Sequence, residues 1–343
     1  MKPILAITMG DPAGIGPEIA VKALTHKEVY DQCIPVIIGD FEALNDANRF
    51  CDLELVLNEI TDIKSARAQY GILDFINMGY LKKGGWDYKK VNERCGKASF
   101  EYIRRGIELA LSNAVHGVVT GPINKEAINK AGFPFSGHTE IFAKLTNTSE
   151  YAMLLTSGSL RVIHVTTHVS MRKACEMITM ERVYIIIKLA NEAIRALGIN
   201  QPRIAVAGLN AHAGENGLFG DEEETAIKPA IKKAAAEGIN AEGPLPPDTV
   251  FVKAMAGMYD IVVAMYHDQG HIPIKLSGFK LDVKTNNYTS VSGVNCTVGL
   301  PIIRTSVDHG TAFDRSGEGR ANEESMVEAI NMGAVLAKTK YCL

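Results

Sequence analysis

Short apolar runs rich in β-branched residues alternate along this chain with longer segments whose apolar residues recur every three or four positions, and that alternation restricts the fold more than any other feature. Residues 4–9, 35–38, 117–120, 152–155, 162–166, 204–208 and 260–265 read as strands. Most are too apolar to face water, as in a parallel sheet covered on both faces. Residues 98–114, 181–197, 221–237 and 323–338 carry the spacing of amphipathic helices. The pattern predicts an α/β fold. With 343 residues the chain exceeds the size at which a single core keeps growing, so two lobes are expected.

Composition narrows the partners. A net charge of -3 with 22% charged residues offers no basic field for nucleic acid. The longest apolar run, around 183–190, contains Lys188 and is far short of the roughly 20 residues a membrane span requires. The chain opens on Met-Lys-Pro and runs straight into a strand-like segment without the pattern of a signal peptide, so a cytoplasmic protein is expected. Six scattered cysteines form no C-x-x-C pair and read as reduced thiols.

Histidines and glycines gather where the apolar runs end, the edge at which open α/β sheets place their sites. Ile163-His-Val-Thr-Thr-His168, Gly208-Leu-Asn-Ala-His212 and Ala264-Met-Tyr-His-Asp268 each carry a histidine at or just past a strand end. His168, His212 and His267 are too far apart in sequence for a local motif, so only the fold can bring them together. Each alone has an ordinary structural reading, a hydrogen-bonded histidine at a strand end. Three neutral imidazoles would hold a divalent ion and leave positions open for a substrate oxygen. His267 and His271 also stand at H-x-x-x-H spacing, but Pro273 argues against a helix continuing there. His164, four residues before His168, is expected to pack within its lobe.

Gly10-Asp-Pro-Ala-Gly-Ile-Gly-Pro-Glu18 after the first strand is either an anion-receiving loop or an ordinary strand-to-helix turn; Ile19 takes the place of the third glycine of a dinucleotide fingerprint. Ser136-Gly-His-Thr-Glu140 resembles a helix start that could receive a carboxylate or phosphate. The run Asp221-Glu-Glu-Glu224 reads as a solvated helix cap. Lys275, Asn295 and Arg304 are the donor types a doubly acidic substrate needs, and Asp248 and Asp268 are candidates for proton transfer or for orienting a ligand histidine. Residues 276–293 are the most loop-like stretch, a mobile flap or a β-excursion.

Taken together, the segments Met9–Glu18, Gly137-His-Thr-Glu140, Thr166-Thr-His168, Gly208–Glu215, Tyr266-His-Asp-Gln-Gly270 and Gly299–Thr311 resemble the 4-hydroxythreonine-4-phosphate dehydrogenase (PdxA) family over nearly the whole chain. The resemblance implies two α/β/α lobes with a cleft between them, as in isocitrate and isopropylmalate dehydrogenases, one of residues 1–122 with 296–343 and the other of 123–295. It implies a homodimer whose divalent metal (Zn, Mg, Mn or Co) is held by His168, His212 and His267, one of them supplied by the partner subunit. His138, Thr139, Lys275, Asn295 and Arg304 would hold the substrate; Asp308, His309, Gly310 and Thr311 would contact NAD or NADP. The implied reaction is oxidation of a 4-phosphorylated four-carbon 3-hydroxy acid followed by decarboxylation. The forms Met9-Gly-Asp-Pro, Gly214-Glu-Asn-Gly-Leu-Phe-Gly220 and Gln269-Gly-His-Ile-Pro273 resemble a branch that oxidises 4-phosphorylated threonate or erythronate more than the pyridoxine-synthesis branch. The competing class is a metal-dependent hydrolase or aldolase on the same histidines, which would need no nucleotide.

Overall fold

The computed structural model describes residues 1–284 and 287–343. Its strands in chain order are β1 (Ile4–Thr8), β2 (Ile34–Gly39), β3 (Val56–Glu59), β4 (Ile72–Asn77), β5 (Gly117–Thr120), β6 (Ala152–Ser157) and β7 (Leu160–His164), followed by β8 (Ile204–Ala207), β9 (Ala241–Leu245), β10 (Ile261–Ala264), β11 (Phe279–Asp282), β12 (Asn287–Val291), β13 (Val294–Val298) and β14 (Arg304–Val307). The helices are α1 (Gly16–Ala23), α2 (Lys27–Gln32), α3 (Phe41–Phe50), α4 (Glu93–Leu111), α5 (Lys125–Lys130) and α6 (His138–Leu145), then α7 (Met171–Met177), α8 (Met180–Ala196), α9 (Lys228–Ala236), α10 (Val250–Met255), α11 (His267–Gly278) and α12 (Glu324–Tyr341). The fold is α/β.

Two compact units divide the chain: Met1–Ser149 with Leu300–Leu343, and Glu150–Gly299. The passage between them falls at 149/150, beyond the expected 122, because α5 packs onto α4 so closely that a Cβ on Gly96 would collide with the Ala127 carbonyl. In the first unit the strands run in the order β3-β4-β2-β1-β5-β14, each pair parallel. Leu5, Ile7, Val36, Ile37, Val118 and Val119 are inaccessible, which is why these strands read as continuous apolar runs.

In the second unit the order is β13-β6-β7-β10-β8-β9, the pairs β13–β6 and β6–β7 being antiparallel and β7–β10, β10–β8 and β8–β9 parallel. Leu155, Val162, Ala205, Val262 and Ile274 form part of its core. Residues 276–293 contain the end of α11 and the hairpin β11–β12, a β-excursion; Asn286 and Thr285 lie outside the described residues. Among the described residues no helix is long and apolar enough to cross a membrane.

One expectation fails outright: α11 runs through Pro273, so His267 and His271 do share a helix. The proline removes only one N–H of the ladder, and side-chain anchorage compensates. Gln269 accepts from Met265 N at 2.7 Å and donates to the Gly208 carbonyl at 2.9 Å, while Ile274 is fully buried beneath the helix.

Candidate active site

The carboxyl ends of β7, β10 and β8 lie side by side, and a histidine follows each: His168, His267 and His212. Thr166 ties the first of these segments to the second, its N–H and its hydroxyl both donating to the Met265 carbonyl, at 3.2 and 2.8 Å. The His168 and His267 rings consequently stand 5.6 Å apart between centroids. His267 Nδ1 lies 2.7 Å from Asp268 Oδ1. A carboxylate only accepts, so Nδ1 carries the hydrogen and the Nε2 lone pair is left available to a cation.

Behind this pair, His271 stacks on His267 at 3.6 Å and His164 follows at 4.7 Å from His271. Burial, reinforced by the neighbouring histidine in each case, pushes His271 down to about 4 and His164 down to about 3, so both rings are neutral at physiological pH. His164 is buried as expected, its Nδ1 3.3 Å from the Met153 carbonyl and its Nε2 pressed against Gly270, where any Cβ would collide with it.

His212 stands in an unusual loop. Residues His212 to Asn216 all have positive φ, 52, 57, 79, 42 and 58°, a left-handed run that L side chains resist. Glu223 holds it. Its carboxylate is 2% exposed and accepts the N–H groups of Leu209 and Asn210 at 2.8 Å each, and Asn210 Nδ2 at 2.9 Å. Within the acidic run Glu223 alone departs from a solvated cap, Asp221 and Glu224 being exposed: Glu223 belongs to a single π-helical turn, Glu223–Ile227, that directs it inward.

Among the described residues no three His, Cys, Asp or Glu side chains gather into one group able to hold a metal, and His212 is exposed, apart from the His168–His267 pair. The donor types nevertheless fit a divalent first-row ion, with His267 already oriented by Asp268. Asp248 is exposed on the turn after β9, the next parallel strand at the same sheet edge. Lys275 on α11 sets its ammonium 4.2 Å from the Phe279 ring centre, and Asn295 sits in β13 opposite Leu155.

In the first unit Arg304 opens β14, 2% exposed, with Nη2 donating to Thr120 Oγ1 at 2.9 Å. His138 opens α6 and hydrogen-bonds the Gly121 backbone; Thr139 beside it is buried. Burial, and then the Arg304 and Lys125 charges, hold His138 well below the ordinary imidazole value. Asp308 N donates to Ser325 Oγ at 3.1 Å, and His309 Nδ1 lies 3.0 Å from the Gly310 carbonyl.

The glycine turn proves to be a packed strand-to-helix connection. Asp11 N donates to the Pro122 carbonyl at 2.8 Å, Ala13 N to Asp11 Oδ1 at 2.9 Å, Gly14 N to Asp11 O and Ile15 N to Thr311 O, both at 3.0 Å. These donors are spent inside the fold. Gly14 is required because a Cβ there would stand 2.8 Å from that of Thr311.

A family profile described as pyridoxal phosphate biosynthetic protein PdxA matches residues 31–333. The chain belongs to the PdxA family. Within it, a D-threonate 4-phosphate dehydrogenase of Cupriavidus necator is 46% identical over 336 residues, covering 98% of this chain and 97% of the relative. Crystal structures titled 4-hydroxythreonine-4-phosphate dehydrogenase resemble it at full length. The Klebsiella pneumoniae protein has a TM-score of 0.85 at 42% identity, covering 98% of this chain and 100% of that one; the Burkholderia phymatum protein has 0.83 at 44%, covering 98% of each.

For this PdxA chain, sequence reasoning missed Glu223, Gln269 and the part played by Thr166. Glu223 did leave a signal, since it falls on the apolar stripe of Ala226, Ile227, Ala230 and Ala234, all buried. Gln269 and Thr166 act through contacts between segments remote in sequence, and nothing local marks them.

Proposed function

We propose that this chain oxidises D-threonate 4-phosphate, a 4-phosphorylated four-carbon 3-hydroxy acid, with NAD as hydride acceptor, and that the resulting β-keto acid loses its carboxylate. Its relatives are dehydrogenases, which sets aside the hydrolase and aldolase alternatives. The observation that carries the reading is the full-length likeness to D-threonate 4-phosphate dehydrogenase, joined to a histidine pair at a sheet edge of which His267 is oriented by Asp268.

His168, His267 and His212 would hold a divalent metal, which when bound stabilises negative charge on the substrate oxygen. Asp268 keeps the His267 lone pair directed outward. Arg304, His138 and Thr139 bind an anionic group of the substrate, and Lys275 and Asn295 act as further substrate donors. Arg304 is suited to this because Thr120 fixes its planar guanidinium before any ligand arrives. Asp248 serves as the proton carrier, and residues 308–311 contact NAD, or NADP in its place.

The active species is a homodimer in the cytoplasm, with the metal shared between subunits. Ile272, Leu276, Leu281, Val283 and Tyr288 on α11 and the β11–β12 hairpin expose 56, 79, 49, 85 and 43% of their surface, an apolar face for a second copy.

The deciding experiment follows NAD reduction with D-threonate 4-phosphate and with 4-hydroxythreonine 4-phosphate, before and after chelation. Chelator-sensitive turnover of the first supports the assignment. Preference for the second moves the chain to the pyridoxine branch, and no reduction with either overturns the reading.

A further inference from the structure

The segment that follows β5 connects two cationic groups and a histidine of the first unit. Thr120 receives Arg304 at 2.9 Å, Gly121 hydrogen-bonds His138 through its backbone, and Lys125 opens α5. The Lys125 stem passes the residue preceding His138, since a Cβ at Gly137 would stand 3.8 Å from Lys125 Cε. Glu126, the acid next to Lys125, is engaged with Lys130 at 2.7 Å. Two further acids stand nearby: Glu140, its Oε2 buried 3.3 Å from the same Gly137 position, and Asp11, which accepts the Asn124 N–H and whose carboxyl burial raises to about 7. Glu140 and a partly protonated Asp11 leave the charges of Arg304 and Lys125 incompletely balanced.

His138 Nε2 is buried and has no partner among the described residues. An unsatisfied ring nitrogen between two cations is costly unless a hydroxyl of a bound acid donates to it, or an oxyanion that holds the ring protonated accepts from it. We propose that Lys125 is a further substrate-binding residue, closing with Arg304 and His138 around one oxyanion of the substrate, its phosphate or its carboxylate. The inference rests on the substrate class proposed above and adds a residue that neither the motifs nor the fold had pointed to. Lys125 is exposed, so its long stem can fold down onto a bound oxyanion while Arg304 stays fixed.

The test compares Lys125→Ala, Lys125→Gln and Lys125→Arg with the unaltered enzyme. With D-threonate 4-phosphate, the Ala and Gln variants should raise KM about ten- to a hundredfold with a much smaller change in kcat, and Arg should restore most of the loss. Inorganic phosphate and acetate, used as inhibitors, tell the two sources apart: the inhibition constant of whichever anion Lys125 binds rises by a similar factor. Unchanged KM and unchanged inhibition by both anions in Lys125→Ala would overturn the inference. If the unaltered enzyme turns over no phosphorylated four-carbon acid, the functional reading fails by itself. Calorimetric binding of inorganic phosphate and of acetate to the unaltered protein and to Lys125→Ala then still decides the role of Lys125, equal binding or none overturning it.

Discussion

Glu223 accepts the backbone N–H of Asn210 at 2.8 Å and, through its other oxygen, the Asn210 side chain at 2.9 Å. A buried carboxylate thereby fixes the start of the left-handed loop that carries His212. Glu223→Ala should loosen this loop, lowering affinity for Co2+ or Mn2+ by about ten- to a hundredfold and stability by about 1–3 kcal/mol. Glu223→Gln should keep the two backbone bonds and lose less. Metal titration by calorimetry, run beside urea unfolding, separates the effects; unaltered metal affinity in the alanine variant would refute a positioning role.

Asp268 is exposed, yet it sets the tautomer of His267. Asp268→Ala is expected to weaken metal binding by about ten- to a hundredfold and to recover much of its activity at high metal concentration, while Asp268→Asn, whose carbonyl oxygen still accepts from Nδ1, should fall between. Activity measured against metal concentration checks this, and a loss that added metal cannot repair would assign Asp268 a different role.

Burial raises the Asp11 carboxyl from 3.8 to about 7, opposed by the N–H groups of Ala13 and Asn124. The folded state thus holds this proton more tightly than the unfolded chain does. Its contribution to stability is complete below pH 4 and disappears as the pH rises through 7. Between pH 5 and 8 the protein should lose on the order of 2 kcal/mol from this group, and Asp11→Asn should flatten that part of the profile. Parallel urea curves for the two proteins at both pH values would count against Asp11 as the source.

Leu276 and Val283 expose 79 and 85% of their surface. Replacing both with aspartate should raise the dimer dissociation constant by about a hundredfold or more, since the charges would have to be desolvated on association. Sedimentation velocity reads the outcome. A double variant that sediments as the unaltered protein would place the interface elsewhere.

The sequence alone determined the α/β class and the central strands, because each is a local run of buried apolar residues whose period reports its environment directly. Residues 117–120 coincide with β5, and β1, β2 and β8 agree to within a residue at either end. Ordered motifs along the chain likewise sufficed to indicate the family. What the tertiary structure decided were relations between distant segments. Thr166 joins the His168 and His267 segments, Glu223 turns inward from an acidic run, and α11 persists through Pro273 because Gln269 and Ile274 anchor it. Each rests on contacts with segments remote in sequence, and two of them carry a locally unfavourable choice, a buried carboxylate holding a left-handed loop and a proline inside a helix, offset by hydrogen bonds and burial that exist only once the chain has folded.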